Sequence, residues 1–232
     1  MEAGWKSGES SIRAVIFDLD GVLVDSSAFH YEAWTAWAAE IGLGERVTRA
    51  WFRETFGRRN ADVFSTLYDA PPSVEETQRQ AERKEQIFRE RSRGRLAPLP
   101  GAGELVEALH ASGFRLALGT SAPRVNATMI IAELKLTDFF DVHVTGDDVT
   151  DGKPDPQVFQ RAAERLGIPS ERALVIEDAV SGVEAAHRAG MAAIAVTDDP
   201  SAKHRKADLV VSSLTELDVD TIASLIERRG AR

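Results

Sequence analysis

The sequence predicts an α/β fold in which a doubly wound parallel sheet carries an all-helical insert. Short apolar runs recur along the chain, and most are unbroken rather than alternating, which is typical of strands covered on both faces. Helical segments separate the later runs, and this alternation of strand and helix indicates a parallel sheet. A stretch after the first run contains no convincing strand, so we expect it to be helical throughout.

Six apolar runs are the predicted strands, at 14–17, 114–118, 142–144, 173–176, 192–196 and 209–211. The helices predicted among the later strands and after the last are 103–112, 123–134, 157–166, 182–189 and 219–228. Gly113 and Gly167 stand where helix C-caps belong, which defines the ends of two of these helices.

The predicted helical insert extends from about Ser26 to Arg95. Its helices are predicted at 28–41, 47–56 and 61–69, and the capping box Ser73-Val74-Glu75-Glu76 begins a long charged helix that ends near residue 93. An insert placed after the first strand is expected to form a cap over the edge of the sheet where ligands bind. The predicted organisation is a tail at 1–11, a core formed by 12–25 and 96–232, and a cap at 26–95.

Composition excludes several classes of protein. The 232 residues contain 28 Lys and Arg against 37 Asp and Glu, and a net charge of −9 disfavours binding to nucleic acid or to an anionic membrane. The absence of cysteine excludes disulfide scaffolds, thiolate zinc sites and cysteine nucleophiles. No secretory signal is visible, so the glycosylation triplet Asn126-Ala127-Thr128 is not interpreted as a modification site. We therefore expect a cytoplasmic protein without a membrane span, and no obligate protein partner is evident.

Acidic, hydroxyl and lysine side chains follow the predicted strands or lie in the loops beyond them. They are Asp18, Asp20, Thr120, Ser121, Lys153, Glu177 and Asp178. An isolated Asp-x-Asp also occurs in ordinary turns that leave a strand, but the later residues favour a site. The carboxyl ends of parallel strands converge, so we expect these side chains to meet at one edge of the sheet.

Carboxylates gathered at one edge would repel each other unless a cation lay among them. Like charges about 4 Å apart cost about 4 kcal/mol per pair at an effective dielectric constant of about 20. Oxygen ligands without cysteine or clustered histidine favour Mg²⁺. Lys153 would supply a positive charge and Thr120 a hydroxyl for phosphate oxygens. The set predicts phosphoryl transfer through an aspartyl-phosphate.

Four motifs, in this order and spacing, resemble those of the haloacid dehalogenase-like superfamily. They are DLDGVLVDS, GTSAP, GKPDP and VIEDAVSGVEAA, and the likeness covers nearly the whole chain from Arg13 onward. The stretch DSSAFHYEAWTAWAAEIGLG is similar to the start of the helical cap in the β-phosphoglucomutase-like phosphatases of that superfamily. The resemblance implies a Rossmann-like core and a helical cap that closes over the substrate.

The resemblance also implies a role for each site residue. Asp18 would be the nucleophile, and Asp20 would be the general acid and base. The residues implied to bind the phosphoryl group are Thr120, Ser121 and Lys153. The residues implied to bind Mg²⁺ are Asp18, Asp20 through its backbone carbonyl, Asp178, and Glu177 directly or through water.

The resemblance indicates four substrate-facing residues in the cap, which are His30, Arg59, Asn60 and Lys84. His30 matches a histidine at the cap entrance, although a packed interior position on a helix with two tryptophans is the alternative. The loop at 56–60 resembles the specificity loop of the family, and Lys84 matches a lysine of the long cap helix. Surface charge is the alternative for Arg58, Arg59 and Lys84.

The predicted function is a Mg²⁺-dependent phosphatase that acts on a small phosphorylated metabolite, a sugar phosphate or a sugar-acid phosphate. The first alternative is a phosphomutase, which must hold a second phosphate with a second cationic clamp. In β-phosphoglucomutases an arginine of the cap loop and a Ser-Lys pair supply that clamp, whereas Asn60 and Ala122-Pro123 stand at those positions here, with Arg59 and Arg124 nearby. A phospho-accepting signalling module is a less favoured alternative, because such modules are about half this length and have no cap.

Overall fold

The structure is a computed structural model that describes residues 12–70, 72–198 and 206–230, so the predicted tail at 1–11 lies outside the described residues. Its centre is a parallel sheet in the order β3-β2-β1-β4-β5-β6. The strands are β1 (Ala14–Phe17), β2 (Arg115–Gly119), β3 (Val142–Val144), β4 (Ala173–Glu177), β5 (Ala192–Val196) and β6 (Leu209–Val211). The chain starts at β1, runs outward to β3, and then crosses to β4 and runs outward to β6. The predicted doubly wound sheet is confirmed.

Helices cover both faces of the sheet. They are α5 (Ala102–Ala111), α6 (Arg124–Glu133), α7 (Gln157–Leu166), α8 (Val180–Arg188) and α9 (Val219–Gly230). Val15 and Phe17 of β1 pack in a cluster with α5, α6 and α9, whereas Ala14 and Ile16 pack in a second cluster with α7 and α8. Burial of both faces explains why the strand sequences are continuously apolar. None of the helices in the described residues has the length and apolar character needed to cross a membrane.

Among the described residues, four α-helices lie between β1 and α5, and these are called the inserted helices. They are α1 (Ser27–Glu40), α2 (Arg49–Thr55), α3 (Asn60–Phe64) and α4 (Val74–Ser92). The Ser73 hydroxyl accepts a hydrogen bond from the Glu76 backbone N–H at 3.2 Å, so α4 begins where the capping pattern predicts.

Helix α3 ends earlier than the predicted 61–69. The Ser65 hydroxyl donates to the Asp62 carbonyl at 2.8 Å, and the Thr66 hydroxyl donates to the Val63 carbonyl at 2.7 Å. Such local bonds compete with the backbone hydrogen bonds that would continue a helix.

The inserted helices leave and rejoin the core at neighbouring positions. Val24 forms one isolated bridge with Asp20 and another with Pro98. The Leu99 backbone N–H donates to the Leu23 carbonyl at 2.9 Å. The segment that leads into α1 and the segment that returns from α4 therefore lie side by side at the edge of the sheet where β1 ends.

Candidate active site

The acidic residues predicted from the sequence meet at the carboxyl ends of β1 and β4. Asp18 directly follows β1, Glu177 ends β4 and Asp178 follows it, and each of the three offers a carboxylate oxygen within 4.8 Å of the others. Lys153 reaches this cluster from the loop before α7. Its Nζ donates to Asp18 Oδ1 at 2.6 Å and to Glu177 Oε1 at 2.6 Å.

Burial shapes the protonation of this cluster. Burial raises the pKa of Asp18 to about 7, against the attraction of Lys153 and with the repulsion of Glu177. Burial and then the charges of Glu177 and Asp18 raise the pKa of Asp178 well above its ordinary value. Burial alone would lower the pKa of Lys153, but Asp18 and Glu177 more than reverse that effect and raise it. Among the described residues, three carboxyl groups face one ammonium, so the cluster has a deficit of positive charge when all three are ionised.

This deficit and the donor atoms fit a Mg²⁺ ion. The carboxylate oxygens of Asp18, Glu177 and Asp178 are hard ligands, and like charges that are buried together are stabilised by a divalent cation. The Asp20 carboxylate does not belong to this group, since it faces Ser26 and His30. Asp20 would therefore contribute only its backbone carbonyl, as the sequence resemblance implies.

Two glycines let the acidic side chains approach the backbone closely. Gly21 has a φ of +84°, and a Cβ there would lie 2.2 Å from Asp178 Oδ2. A Cβ on Gly182, in the first turns of α8, would lie 1.8 Å from Glu177 Oε1. The other Glu177 oxygen accepts the Ala179 backbone N–H at 2.6 Å. Glycine at these positions is thus required for the observed placement of the carboxylates.

Asp20 contacts a row of buried polar side chains that leads into the inserted helices. Its Oδ1 accepts a hydrogen bond from the Ser26 hydroxyl and lies 3.7 Å from His30 Nε2. His30 Nδ1 lies 2.9 Å from Lys84 Nζ. The Lys84 ammonium can only donate, so Nδ1 accepts and the ring proton is assigned to Nε2, which faces Asp20. Burial acts to raise the pKa of Asp20, but His30 and Ser26 outweigh burial and lower it.

The buried row continues from Lys84 to Glu85. Glu85 Oε1 accepts from Lys84 Nζ at 2.8 Å and from Asn60 Nδ2 at 2.7 Å. The other Glu85 oxygen accepts from Asn126 Nδ2, which lies on the core helix α6. Burial acts to raise the pKa of Glu85, but the charge of Lys84 and the other donors lower it to about 2. Glu85 is thus a buried, ionised carboxylate that joins the inserted helices to the core.

A pocket lies between the sheet edge and the inserted helices. The core residues that line it include Asp18, Asp20, Thr120 and Ser121. The lining residues from the inserted helices include His30, Asn60, Lys84 and Glu85. Thr120 is buried, and its hydroxyl accepts the Ala122 backbone N–H at 3.1 Å. The structure therefore brings most of the predicted catalytic, phosphate-binding and cap residues to one pocket.

Arg59 differs from the expectation that it faces the substrate. Its guanidinium binds both carboxylate oxygens of Asp62 at 3.0 Å and donates to the Thr150 carbonyl at 2.6 Å. Arg59 precedes α3, so its side chain pairs with the first turn of that helix and crosses to a core loop. The exposed Arg58 lines the pocket instead.

Sequence reasoning did not find the parts played by Ser26, Glu85 and Asn126. Ser26 lies inside the first motif, which was a signal for a local role. Neighbouring residues on a helix normally point in different directions, so the pairing of Lys84 with Glu85 had no signal. Asn126 is fully buried, which excludes its use as a glycosylation site in the folded chain.

Comparisons with known proteins show which family and which solved structures this chain is similar to. A family model described as "Haloacid dehalogenase-like hydrolase" matches residues 15–196. A phosphorylated carbohydrates phosphatase of Thermotoga maritima is 35% identical over 184 residues, which cover 78% of this chain and 82% of that protein. A β-phosphoglucomutase of Bacillus subtilis is 30% identical over 225 residues, which cover 91% of this chain and 94% of that protein. The crystal structure of a β-phosphoglucomutase from Clostridium difficile is similar with a TM-score of 0.84 and 26% identity, covering 95% of this chain and 100% of that chain.

Proposed function

The chain belongs to the haloacid dehalogenase-like hydrolase family, and we propose that it is a Mg²⁺-dependent phosphatase of a small sugar phosphate that reacts through an aspartyl-phosphate. The observation that carries the proposal is the Asp18 carboxylate. It lines the pocket, is paired with Lys153, and lies in a carboxylate cluster that fits a divalent cation. The relatives named above as a phosphatase and as a mutase of phosphorylated sugars support the substrate class.

In the first half of the proposed reaction, an oxygen of Asp18 attacks the phosphorus and the bond from phosphorus to the sugar oxygen breaks. The departing oxygen takes a proton from Asp20, and the phosphoryl group remains on Asp18. Approach of an anionic phosphate raises the pKa of Asp20, which favours its protonated form at this stage. Lys153 and the Thr120 hydroxyl hold the phosphoryl oxygens, and the predicted partner in this role is Ser121.

In the second half, Asp20 takes a proton from a water molecule as that water attacks the phosphorus. The bond between phosphorus and Asp18 breaks, inorganic phosphate leaves, and the Asp18 carboxylate is restored. Asp20 is ionised at this stage because it gave its proton to the departing oxygen, so it can act as the base. Asp18, Asp178 and Glu177 would hold Mg²⁺, which when bound supplies charge neutralisation for the phosphate. His30 and Lys84 position Asp20 from the side of the cap.

Among the described residues, the positions that carry the second cationic clamp in β-phosphoglucomutases offer no free cation, and the exposed Arg58 lines the pocket outside those positions. Asn60 donates to Glu85 rather than offering a positive charge. Ala122 and Pro123 provide no cation, and Arg124 donates to both oxygens of Asp148 at 2.6 and 2.7 Å. Without a firm hold on a second phosphate, the sugar leaves and water reaches the phosphoryl group. The arrangement supports hydrolysis over the mutase alternative.

A panel of sugar phosphates, assayed for phosphate release with Mg²⁺ and with excess chelator, tests the proposal. We expect turnover that requires Mg²⁺ and is abolished in Asp18→Asn, while the matched variant Asp25→Asn retains it. Asp25 is exposed, and its carboxylate accepts the Ser27 backbone N–H at 3.1 Å, a bond that asparagine can also accept. Full activity in chelator, or wild-type rates in Asp18→Asn, would overturn the mechanism.

The mutase alternative is tested with β-glucose 1-phosphate primed by a bisphosphate. Release of inorganic phosphate with little glucose 6-phosphate formed supports the phosphatase. Efficient conversion to glucose 6-phosphate with almost no phosphate released would favour the mutase.

A further inference from the structure

From the buried pair of Lys84 and Glu85 we infer that Glu85 is a specificity-determining residue, which selects substrates whose end distant from the reacting phosphate is uncharged and disfavours those with a second phosphate or a carboxylate. The inference rests on the proposed function and names the substrate class of the same pocket.

Glu85 is fixed where it lines the pocket. Its side chain is 3% exposed, and its two oxygens accept hydrogen bonds from Lys84, Asn60 and Asn126. These donors come from α4, from the start of α3 and from the core helix α6, so the carboxylate is held from both sides of the pocket. It also lines the neighbouring cleft between the inserted helices and the core, together with Ser121 and Pro123.

Glu85 neutralises the buried ammonium of Lys84, to which a second anionic group of a substrate would otherwise bind. The Lys84 ammonium donates to Glu85 at 2.8 Å and to His30 Nδ1 at 2.9 Å, and it lies 4.9 Å from the centre of the Trp34 ring. Its charge is thus compensated inside the protein. Arg58, the other cation on this side of the pocket among the described residues, is exposed, so solvent screens it.

The Glu85 carboxylate can still accept a hydrogen bond from a neutral group of a substrate. Among the hydrogen bonds of the described residues, the oxygen bound by Asn126 has that single donor, so a lone pair remains for a substrate hydroxyl. An anionic group has no proton to donate there. A like charge about 6 Å away, at an effective dielectric constant of about 20, weakens binding by roughly 100-fold, and the Lys84 ammonium, 2.8 Å from the Glu85 oxygen, reduces the net effect to roughly fourfold.

The test measures competitive inhibition of p-nitrophenyl phosphate hydrolysis by three ligands with the same carbon skeleton. Glucose 6-phosphate has an uncharged distal end, 6-phosphogluconate has a carboxylate there, and glucose 1,6-bisphosphate has a phosphate. For the wild type we expect inhibition constants about fourfold weaker for the two doubly anionic ligands. In Glu85→Gln the Lys84 charge is released, so the order should reverse and the two doubly anionic ligands should bind more tightly than glucose 6-phosphate.

The matched variant is Glu90→Gln, which makes the same change of charge at an exposed position of α4. It should leave the ratio of constants as in the wild type, and it should hydrolyse p-nitrophenyl phosphate with kcat and KM within about threefold of wild type. For Glu85→Gln the readout is the ratio of the three inhibition constants, which does not depend on its rate of p-nitrophenyl phosphate hydrolysis.

Equal or tighter binding of the doubly anionic ligands by the wild type overturns the inference, whether or not Glu85→Gln folds. An unchanged ratio in a Glu85→Gln variant that melts cooperatively overturns it as well. If p-nitrophenyl phosphate is not hydrolysed, the proposed function fails. The inference is then tested by calorimetry, which gives the ratio of the dissociation constants of the doubly anionic ligands to that of glucose 6-phosphate.

Discussion

In the absence of Mg²⁺ we expect the free energy of unfolding to fall as the pH rises from about 5.5 to about 8. Burial raises the pKa of Asp18 from 3.8 to about 7. Between these two values the folded chain holds a proton that the unfolded chain has released. Stability decreases with pH wherever the folded state binds more protons, so this contribution is lost as the pH rises through the folded pKa.

The size of the effect follows from the part of the shift that lies in this window. One pKa unit corresponds to about 1.4 kcal/mol, and about 1.5 units of the Asp18 shift lie above pH 5.5, so Asp18 alone accounts for about 2 kcal/mol. In a chain of this size that corresponds to a decrease in Tm of about 4–8 °C. Asp178, whose pKa is raised chiefly by burial, acts in the same direction.

The assay is thermal unfolding at the two pH values, in excess chelator and in saturating Mg²⁺. Asp18→Asn removes the titrating group, so its Tm should fall less with pH than that of the wild type. Burial lowers the pKa of His143, which therefore acts with the opposite sign, but it is the same in both proteins and cancels in the comparison. Asp138→Asn changes an exposed carboxylate and should behave as the wild type does.

Mg²⁺ should displace the proton from the cluster and remove the decline, raising the Tm at pH 8 above that of the metal-free protein. The reasoning is refuted if wild type and Asp18→Asn show the same pH dependence in chelator, or if Mg²⁺ leaves the Tm at pH 8 unchanged.

Three other predictions concern single residues. Asp20→Asn should lower kcat on p-nitrophenyl phosphate by about 10²–10⁴ while the variant still folds, because it removes proton transfer, and a loss under threefold would place the acid and base elsewhere. Gly182→Ala should destabilise the protein by about 1–3 kcal/mol in denaturant unfolding and reduce activity, because its Cβ would meet Glu177. The control Gly103→Ala has open space around its Cβ and should be neutral or stabilise the protein by up to about 1 kcal/mol. Equal effects of the two substitutions would contradict this. Arg59→Ala should lower the Tm but leave KM for p-nitrophenyl phosphate within about threefold, since the Arg59 guanidinium binds protein groups. A large rise in KM at an unchanged Tm would instead indicate that Arg59 contacts the substrate.

The core and the acidic cluster were predictable because the relevant signals are local. A strand covered on both faces must be continuously apolar, so runs such as 14–17 and 192–196 are recognisable from sequence. Once the strands are parallel, their carboxyl ends lie at one edge of the sheet, and Asp18 and Glu177, far apart in the chain, meet there because β1 and β4 are neighbours.

The cap side of the pocket was less predictable because its contacts depend on side-chain direction across two packed layers. Arg58 lines the pocket because Asp62 and a core carbonyl bind the neighbouring Arg59. No periodic pattern in the sequence indicates which of the two arginines does so. The contact between Glu85 and Asn126 likewise joins two helices whose relative position is set by packing of the whole insert. Such pairs of buried polar groups have no signature in a single sequence.

Because Val24 and Pro98 lie side by side, the inserted helices form an insertion whose two ends are adjacent on the surface of the core. The entropic cost of bringing the ends of an insertion together grows slowly, by about 0.6 kcal/mol per doubling of its length. Helices of other lengths or number are therefore compatible with the same junction. Glu85 lies on the inserted helices, whereas Asp18, Lys153 and Glu177 lie on the sheet and its loops. Changes in the inserted helices can therefore alter the proposed substrate range without moving the proposed nucleophile and its partners.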